Sequence, residues 1–322
     1  MNLSKSARRL AATAAFAGVL ASPLAFAQSV AVTSIVEHPA LDSIKDGVHE
    51  TLTAAGYTEA KGLKWQFQTA QGNTAIAAQI ARKFIGDKPD VIVAIATPSA
   101  QAVVAATKTI PVVYSAVTDP VAAQLVPSMG PSGTNVTGVS DALSLDKQVE
   151  LIHKVVPNAK KVGMVYNPGE ANSVVVVKRL RELLPKAGMS LVEATAARTV
   201  DVGAAARSLV GKVDVIYTNT DNNVVSAYEA LVKVGNSAKI PLIASDTDSV
   251  KRGAIAALGV NYHDLGIQTG KVVIQILKGA KPGDIASQTS DKLELYVNPA
   301  AAKAQGVTLD PEFVKSATKV VQ

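Results

Sequence analysis

The chain has 322 residues, of which 48% are hydrophobic and 4% aromatic, with a formal net charge of +6 and no cysteine. That length holds one large or two medium domains with sizeable cores. Lack of cysteine excludes disulfides, thiolate chemistry and a cysteine-linked lipid anchor, and no basic run or basic–aromatic stripe is present to contact nucleic acid.

The N-terminal stretch reads as a targeting segment. Lys5, Arg8 and Arg9 precede an apolar run from Leu10 to Leu20 that is too short to span a bilayer. Ser22-Pro23 breaks the run, and Ala25-Phe26-Ala27 has the small-x-small cleavage pattern. The expectation is a cleavable signal peptide over 1–27 and a soluble, exported protein of the periplasm with no lipid anchor. Its removal leaves 29 Lys and Arg against 26 Asp and Glu, or +3.

Val30 to Val36 reads as a buried strand ending at Glu37-His38-Pro39. A helix follows to Ala55, with Leu41, Ile44, Val48 and Leu52 on one face, and Gly56 ends it. Leu63 to Thr69 alternates as a strand, and Gln71-Gly72-Asn73 turns into a helix carrying Ile76, Ile80 and Phe84. Val91 to Ala96 is a buried strand that stops at Thr97-Pro98-Ser99, with a small-residue helix to about Thr107. Ile110 to Val117 is the next strand, ending at Thr118-Asp119-Pro120. Val136 to Val139 is a short strand leading into Ser140-Asp141.

A second unit follows: a helix from Leu145 to Val155, then a strand from Val162 to Tyr166. The helix predicted over Ser173 to Lys186 starts with Val174-Val-Val-Val177, which favours strand by propensity; Leu180, Leu183 and Leu184 continue a helical face. Strands are predicted at Leu191–Ala194, Val215–Asn219 and Ile240–Ala244, and helices at Val202–Leu209 and Val224–Val234. In the tail, Ala254–Val260 reads as a strand, Leu265–Leu277 as a helix and Leu293–Val297 as a strand. A short helix runs to about Gln305 and a polar stretch ends the chain.

Buried strands alternating with amphipathic helices imply parallel sheets and right-handed crossovers. The pattern also repeats. Pro89 to Val103 matches Val213 to Ala227, and aligning Asp90 with Asp214 puts Thr97-Pro98-Ser99 on Asp221-Asn222-Asn223. Ile110-Pro111 matches Ile240-Pro241, each followed by a serine, at 115 and 245. Two like-folded α/β lobes are expected.

In open parallel sheets ligands bind outside the carboxyl ends of the strands. That rule selects Glu37-His38-Pro39, Thr97-Pro98-Ser99, Thr118-Asp119 and Ser140-Asp141 in the first lobe. In the second it selects Asn167 to Ser173, Asp221-Asn222 and Ser245-Asp246. Thr97 and Ser99 at a helix start suit a carboxylate, although both residue types also cap helices. Asp221 and Asp246 could meet an ammonium group. The four histidines show no metal-ligand spacing. No nucleophile elbow, P-loop or dinucleotide fingerprint follows any strand. No catalytic residue, metal or cofactor is therefore expected.

The runs Ile95-Ala-Thr-Pro-Ser-Ala-Gln101, Ile110 to Pro120 and Gly133 to Asp141 resemble the ABC-transporter substrate-binding proteins of the tryptophan/tyrosine-type group. His38 to Asp42, Asn172-Ser173, Asp221-Asn222 and Leu265 to Gly270 carry the same resemblance, which covers the mature chain. It implies a type I periplasmic-binding-protein fold: α/β, with two Rossmann-like lobes joined by a three-crossing hinge near Ser140-Asp141, Asn261-Tyr262 and Lys292. Lobe one would take 28–141 and 263–291, and lobe two 142–262 and 292–322. The ligand implied is an amino acid or related carboxylate, often aromatic. Its carboxylate would lie beside Thr97–Ser99, and its amine would meet an acid of lobe two. Members often carry Glu near position 246, whereas this chain has Ser245-Asp246-Thr247-Asp248, so which acid meets the amine stays open. The candidate ligand-binding residues are His38, Pro39, Thr97, Ser99, Ala100, Thr118, Asp119, Glu170, Asn172, Ser173, Asp221, Asn222 and Asp246. The implied role is a monomeric receptor, not an enzyme, that delivers its ligand to an inner-membrane ABC permease; the alternative is a sensory binding protein presenting a small carboxylate to a membrane receptor.

Overall fold

The computed structural model describes residues 28–290 and 292–321, so the expected signal peptide lies outside the described residues. The chain opens with β1 (Ser29–Ser34), α1 (Pro39–Ala54), β2 (Lys64–Thr69), α2 (Thr74–Asp87), β3 (Val91–Ile95), α3 (Thr97–Ala106), β4 (Val112–Ser115) and β5 (Val136–Ser140). It continues through α4 (Leu145–Val155), β6 (Lys161–Tyr166), α5 (Ala171–Leu183), β7 (Ser190–Thr195), α6 (Val202–Ser208) and β8 (Val215–Thr218). Next come α7 (Asn222–Ser226), α8 (Tyr228–Ala238), β9 (Leu242–Ala244), α9 (Asp248–Lys251), β10 (Ala256–Val260) and α10 (Tyr262–Leu277). The tail adds β11 (Gln288–Thr289), β12 (Leu293–Val297), α11 (Pro299–Ala304), α12 (Pro311–Lys315) and β13 (Lys319–Val320).

These strands build two sheets. One has six strands in the order β11-β5-β4-β3-β1-β2, and the other seven in the order β13-β12-β10-β9-β8-β6-β7. Every pairing is parallel except β10 with β12. The chain passes between the sheets three times: after β5, after β10 and after β11. The central strands are buried on both faces, as a parallel sheet between two helix layers requires; β3, Val91–Ile95, has every residue buried.

The repeat seen in the sequence has a structural counterpart. Asp90, just before β3, accepts hydrogen bonds from the Ser29 amide at 2.7 Å and the Ser29 hydroxyl at 2.8 Å. Asp214, just before β8, accepts from the Lys160 and Lys161 amides, each at 2.8 Å. Each carboxylate ties the start of one strand to the start of its neighbour, and those backbone bonds hold the Asp214 carboxyl below its ordinary pKa.

Several elements differ from the sequence reading. The strand expected over 110–117 is only Val112–Ser115, because Ala116 turns the chain with φ 53°. The helix expected over 224–234 breaks at Ala227 into α7 and α8. Helix α10 starts at Tyr262, three residues early, because the Asn261 side chain caps it by accepting from the His263 and Asp264 amides. The polar C-terminal stretch contains α12 and β13. Val174 to Val177 is helical, since burying Val176 and Val177 outweighs β-branched propensity.

Helices α1 and α10 pack with their backbones almost touching. A Cβ on Gly47 would stand 2.5 Å from the His263 carbonyl, and one on Gly266 would stand 2.3 Å from that of Ile44. Only glycine permits that approach. Gly266→Ala is therefore expected to destabilise the ligand-free protein by about 1–3 kcal/mol, the usual cost of overpacking. A denaturation midpoint equal to wild type would show that the crossing can spread.

Candidate functional site

The carboxyl ends of both sheets converge on a small cavity between them. The first sheet's loops contribute His38, Leu41, Ala96, Thr97, Ala116 and Thr118, and the crossings contribute Asp141 and Tyr262. From the second sheet come Asn172, Thr220, Asn222, Val225 and Asp246. The lobes are drawn together: Thr118 and Thr220 hydroxyls lie 3.3 Å apart across the join.

On the first lobe the site presents donors. Helix α3 starts at Thr97, and its N-cap is Ala96, whose side chain can cap nothing. Thr97 and Ser99 are fully buried, yet neither hydroxyl has a hydrogen-bond partner. They do not cap the helix, so the positive end of α3 and the Thr97 hydroxyl are left for an anion. Ala96 with φ 70° and Ala116 with φ 53° both line the cavity in a left-handed backbone that costs non-glycine residues about 1–2 kcal/mol each. Such strain clusters at ligand sites.

His38 begins α1, and its Nδ1 accepts from the Leu41 amide at 3.5 Å. Burial, helped by the nearby Arg252 charge, lowers its pKa from 6.5 to about 3. The imidazole is therefore neutral at pH 7, and with Nδ1 accepting, its proton sits on Nε2.

Acids face these donors. Asp246 accepts from the Ser249 amide at 2.8 Å and the Ser249 hydroxyl at 2.7 Å. Asp141 accepts from the Thr118 hydroxyl at 3.2 Å and the Tyr262 hydroxyl at 3.0 Å. Burial pushes both carboxyls above their ordinary pKa. Each keeps acceptor capacity, since a carboxylate has about four lone-pair sites. A cation between them would relieve the cost of that burial.

Glu170 stands behind the wall and positions it. It accepts from the side-chain amides of Asn172 and Asn222 and from the Asn222 backbone amide at 3.1 Å. Burial and the Asp221 charge raise its pKa from 4.5 to about 7.

The candidate residues from the sequence fall into three groups. His38, Thr97, Thr118, Asn172, Asn222 and Asp246 are on the cavity wall. Ser99 and Ala100 lie buried within α3, Glu170 is behind the asparagines, and Asp119 lines a second cavity while accepting from the Val121 and Ala122 amides. Pro39, Ser173 and Asp221 are elsewhere. Pro39 is exposed at the first turn of α1. Asp221 accepts from the Asn167 amide, the Ser173 hydroxyl and the Val224 amide, at 2.7, 2.6 and 3.0 Å. It caps α7 and braces α5, and these three contacts all lie within the second lobe. Thr220 was not singled out from the sequence; Asp141 was selected as a strand-end and hinge residue and Tyr262 as a hinge residue, but neither was among the candidate ligand-binding residues. The signal for Tyr262 was available, because Asn261 is a strong N-cap residue. Among the described residues no cluster of His, Cys, Asp or Glu could hold a metal ion, and no helix is long and apolar enough to cross a membrane.

Glu170 gives a pH test. Between pH 4.5 and about 7 the unfolded chain loses this proton while the folded chain keeps it, so folding stability falls as pH rises through that window. Glu170→Gln removes the term. The melting temperature of ligand-free Glu170→Gln minus that of wild type is expected to rise between pH 5 and pH 8, by on the order of 3 kcal/mol in stability at most. A difference that stays flat would mean Glu170 ionises normally.

Comparison with known proteins places this geometry. A family model described as ABC transporter substrate binding protein matches residues 29–321. The chain is 43% identical over 277 residues to a tyrosine-binding protein of Clostridioides difficile, covering 86% of this chain and 80% of the relative. A solved ABC domain from Streptococcus pneumonia in complex with L-Trp is 34% identical with a TM-score of 0.88, covering 91% of this chain and 99% of that one. A ligand-free, open substrate-binding protein with adhesive properties from Clostridium difficile is 40% identical, covering 92% and 99%, but its TM-score is 0.68. The higher score against the ligand complex, at lower identity, matches the drawn-together lobes. More distant solute-binding structures, 17% and 14% identical with TM-scores of 0.63 and 0.61, share the fold alone, that of type I periplasmic binding proteins. The chain belongs to the ABC transporter substrate-binding protein family, whose members bind a solute for transport and do not transform it.

Proposed function

We propose that the protein captures a free amino acid between its lobes, in the periplasm, and delivers it to an inner-membrane ABC permease. One observation carries the ligand class: an unpartnered donor edge at Thr97 faces buried acids at Asp246 and Asp141 across one cavity. A zwitterion complements both sides at once. Its carboxylate takes the α3 amides and the Thr97 hydroxyl, and its ammonium takes Asp246 with Asp141 adjacent. The neutral His38 adds an Nε2–H donor. The relatives named for tyrosine and complexed with L-Trp support an aromatic amino acid. Export rests on the leader pattern before Gln28, and a single working chain on the site being complete within one copy.

A thermal-shift screen of the mature protein against the amino acids tests this reading. A ligand at 100 times its Kd is expected to stabilise the protein by about 2.7 kcal/mol; no shift with any amino acid would refute it. Asp246→Ala is expected to weaken that ligand at least roughly tenfold, or about 1.4 kcal/mol. Calorimetry giving the wild-type affinity would remove Asp246 from the site. Thr97→Val, which keeps shape and removes the unpartnered hydroxyl, is expected to weaken binding by about 1–2 kcal/mol while leaving the ligand-free melting temperature equal or higher. Lower stability with unchanged affinity would make Thr97 a purely structural residue.

A further inference from the structure

The side chain of Asn172 is held from behind. Its Nδ2 donates to Glu170 Oε2 at 3.1 Å and to the Thr220 carbonyl at 3.0 Å. Both N–H bonds of the amide are thus engaged, while its Oδ1 is buried without a partner. Asn172 lines the inner cavity together with Asp141 and Asp246. We propose that Glu170 is a positioning residue whose ionised form presents Asn172 as an acceptor for the ligand's ammonium, so that the receptor binds more tightly as pH rises through the neutral range. This role rests on the amino-acid reading above and adds how that site is tuned.

An α-ammonium carries three N–H donors, as a lysine ammonium does. Asp246 and Asp141 supply two acceptors on the acidic side of the cavity, and Asn172 Oδ1 supplies a third. The same amide turned end for end would offer N–H groups to the ammonium and repel it. Which end is left free therefore decides whether this part of the wall takes a cation.

Glu170 fixes that choice through its charge. An ionised carboxylate only accepts. Oε2 accepts from Asn172 Nδ2, from the Asn222 backbone amide at 3.1 Å and from Asn222 Nδ2 at 2.5 Å, and Oε1 accepts from Asn167 Nδ2 at 3.5 Å. Each contact is an N–H donor, the surroundings an anion requires. Bonds to a charged acceptor are about twice as strong as neutral ones, so protonation loosens the hold on both asparagines of the wall.

The proton is also within reach. Glu170 is buried, and Asp221, on the loop before α7, is the charged group that bears on it; burial first and Asp221 second push its pKa up to about 7. Across the cavity His38 stays neutral, whereas burial raises Asp141 and Asp246 as well. A pH dependence of binding belongs to Glu170 only if it disappears with that carboxyl.

Calorimetric titration with L-tyrosine and L-tryptophan between pH 5.5 and pH 8 tests the inference, using wild type, Glu170→Gln and Asn172→Leu, each checked for folding by its ligand-free melting curve. Both amino acids remain zwitterions over most of this range. Wild type is expected to bind at least roughly fivefold more tightly at pH 8 than at pH 5.5, and Glu170→Gln, which keeps the shape, to lose most of that dependence. Asn172→Leu is expected to bind at least roughly tenfold more weakly than wild type at pH 8. An equal pH dependence in wild type and Glu170→Gln would assign it to Asp141 or Asp246 and overturn the inference while leaving the amino-acid reading intact, as would a wild-type affinity that does not change with pH. Side-chain amide NMR signals give a readout that needs no ligand. Those of Asn172 and Asn222 are expected to shift through the neutral range in wild type and to stay fixed in Glu170→Gln; signals fixed in both would overturn the hold by Glu170 even if Asn172→Leu does not fold. Shifting signals with no binding of any amino acid at any pH would overturn the amino-acid reading and the ammonium contact, and leave the hold itself standing.

Discussion

Asp141 and Asp246 sit where the lobes meet, and closing the lobes takes most of the water away from them. A carboxylate in such a place is costly unless donors or a cation meet it. Two partial remedies are built in: each acid receives two hydrogen bonds from its own surroundings. The rest of the site follows from what those remedies leave undone. The opposite wall offers the complementary deficiency, a helix start whose cap is an alanine and a threonine hydroxyl with no partner. Neither wall is satisfied by the other, because both are held by stiff sheets. A molecule with separated charges satisfies both.

Stiffness is supplied by the packing beneath. In the first lobe α1 and α10 lock together through glycines 47 and 266, although the helices start at residues 39 and 262, 223 positions apart in the chain. The helix that returns from the second lobe is thereby part of the first lobe's core, with Leu265, Val272 and Val273 buried there. Motion between the lobes is left to the three strand-to-strand passages, and Asp141 and Tyr262 lie on two of them.

Much of this was legible in the residues. Buried strands alternating with helices, and the repeat that sets Asp90 against Asp214, reveal two like units, and the strand-end rule then points to the right loops. What the residues alone could not tell is which way a side chain turns at a helix start. Thr97 and Asp221 occupy matching places in the repeat, yet the first faces the cavity unpartnered while the second folds back over its own helix. That choice depends on Ser173 and the Asn167 amide, about fifty residues away in sequence, which surround Asp221 and have no counterpart at Thr97. The short strand β11 is hidden for a different reason: two residues cannot display an alternation.

The contact between Thr118 and Thr220 is, among the described residues, the one side-chain hydrogen bond joining the loops of the two sheets. A neutral pair of this kind contributes only about 0.5–1.5 kcal/mol. A cargo that touches both walls adds its own contacts to that bond and to the packing of α3 on α5, and so lengthens the residence of the shut form. Any partner that recognises the shut outline then reads occupancy without touching the cargo, and a receptor that has let go of its solute stops competing for that partner.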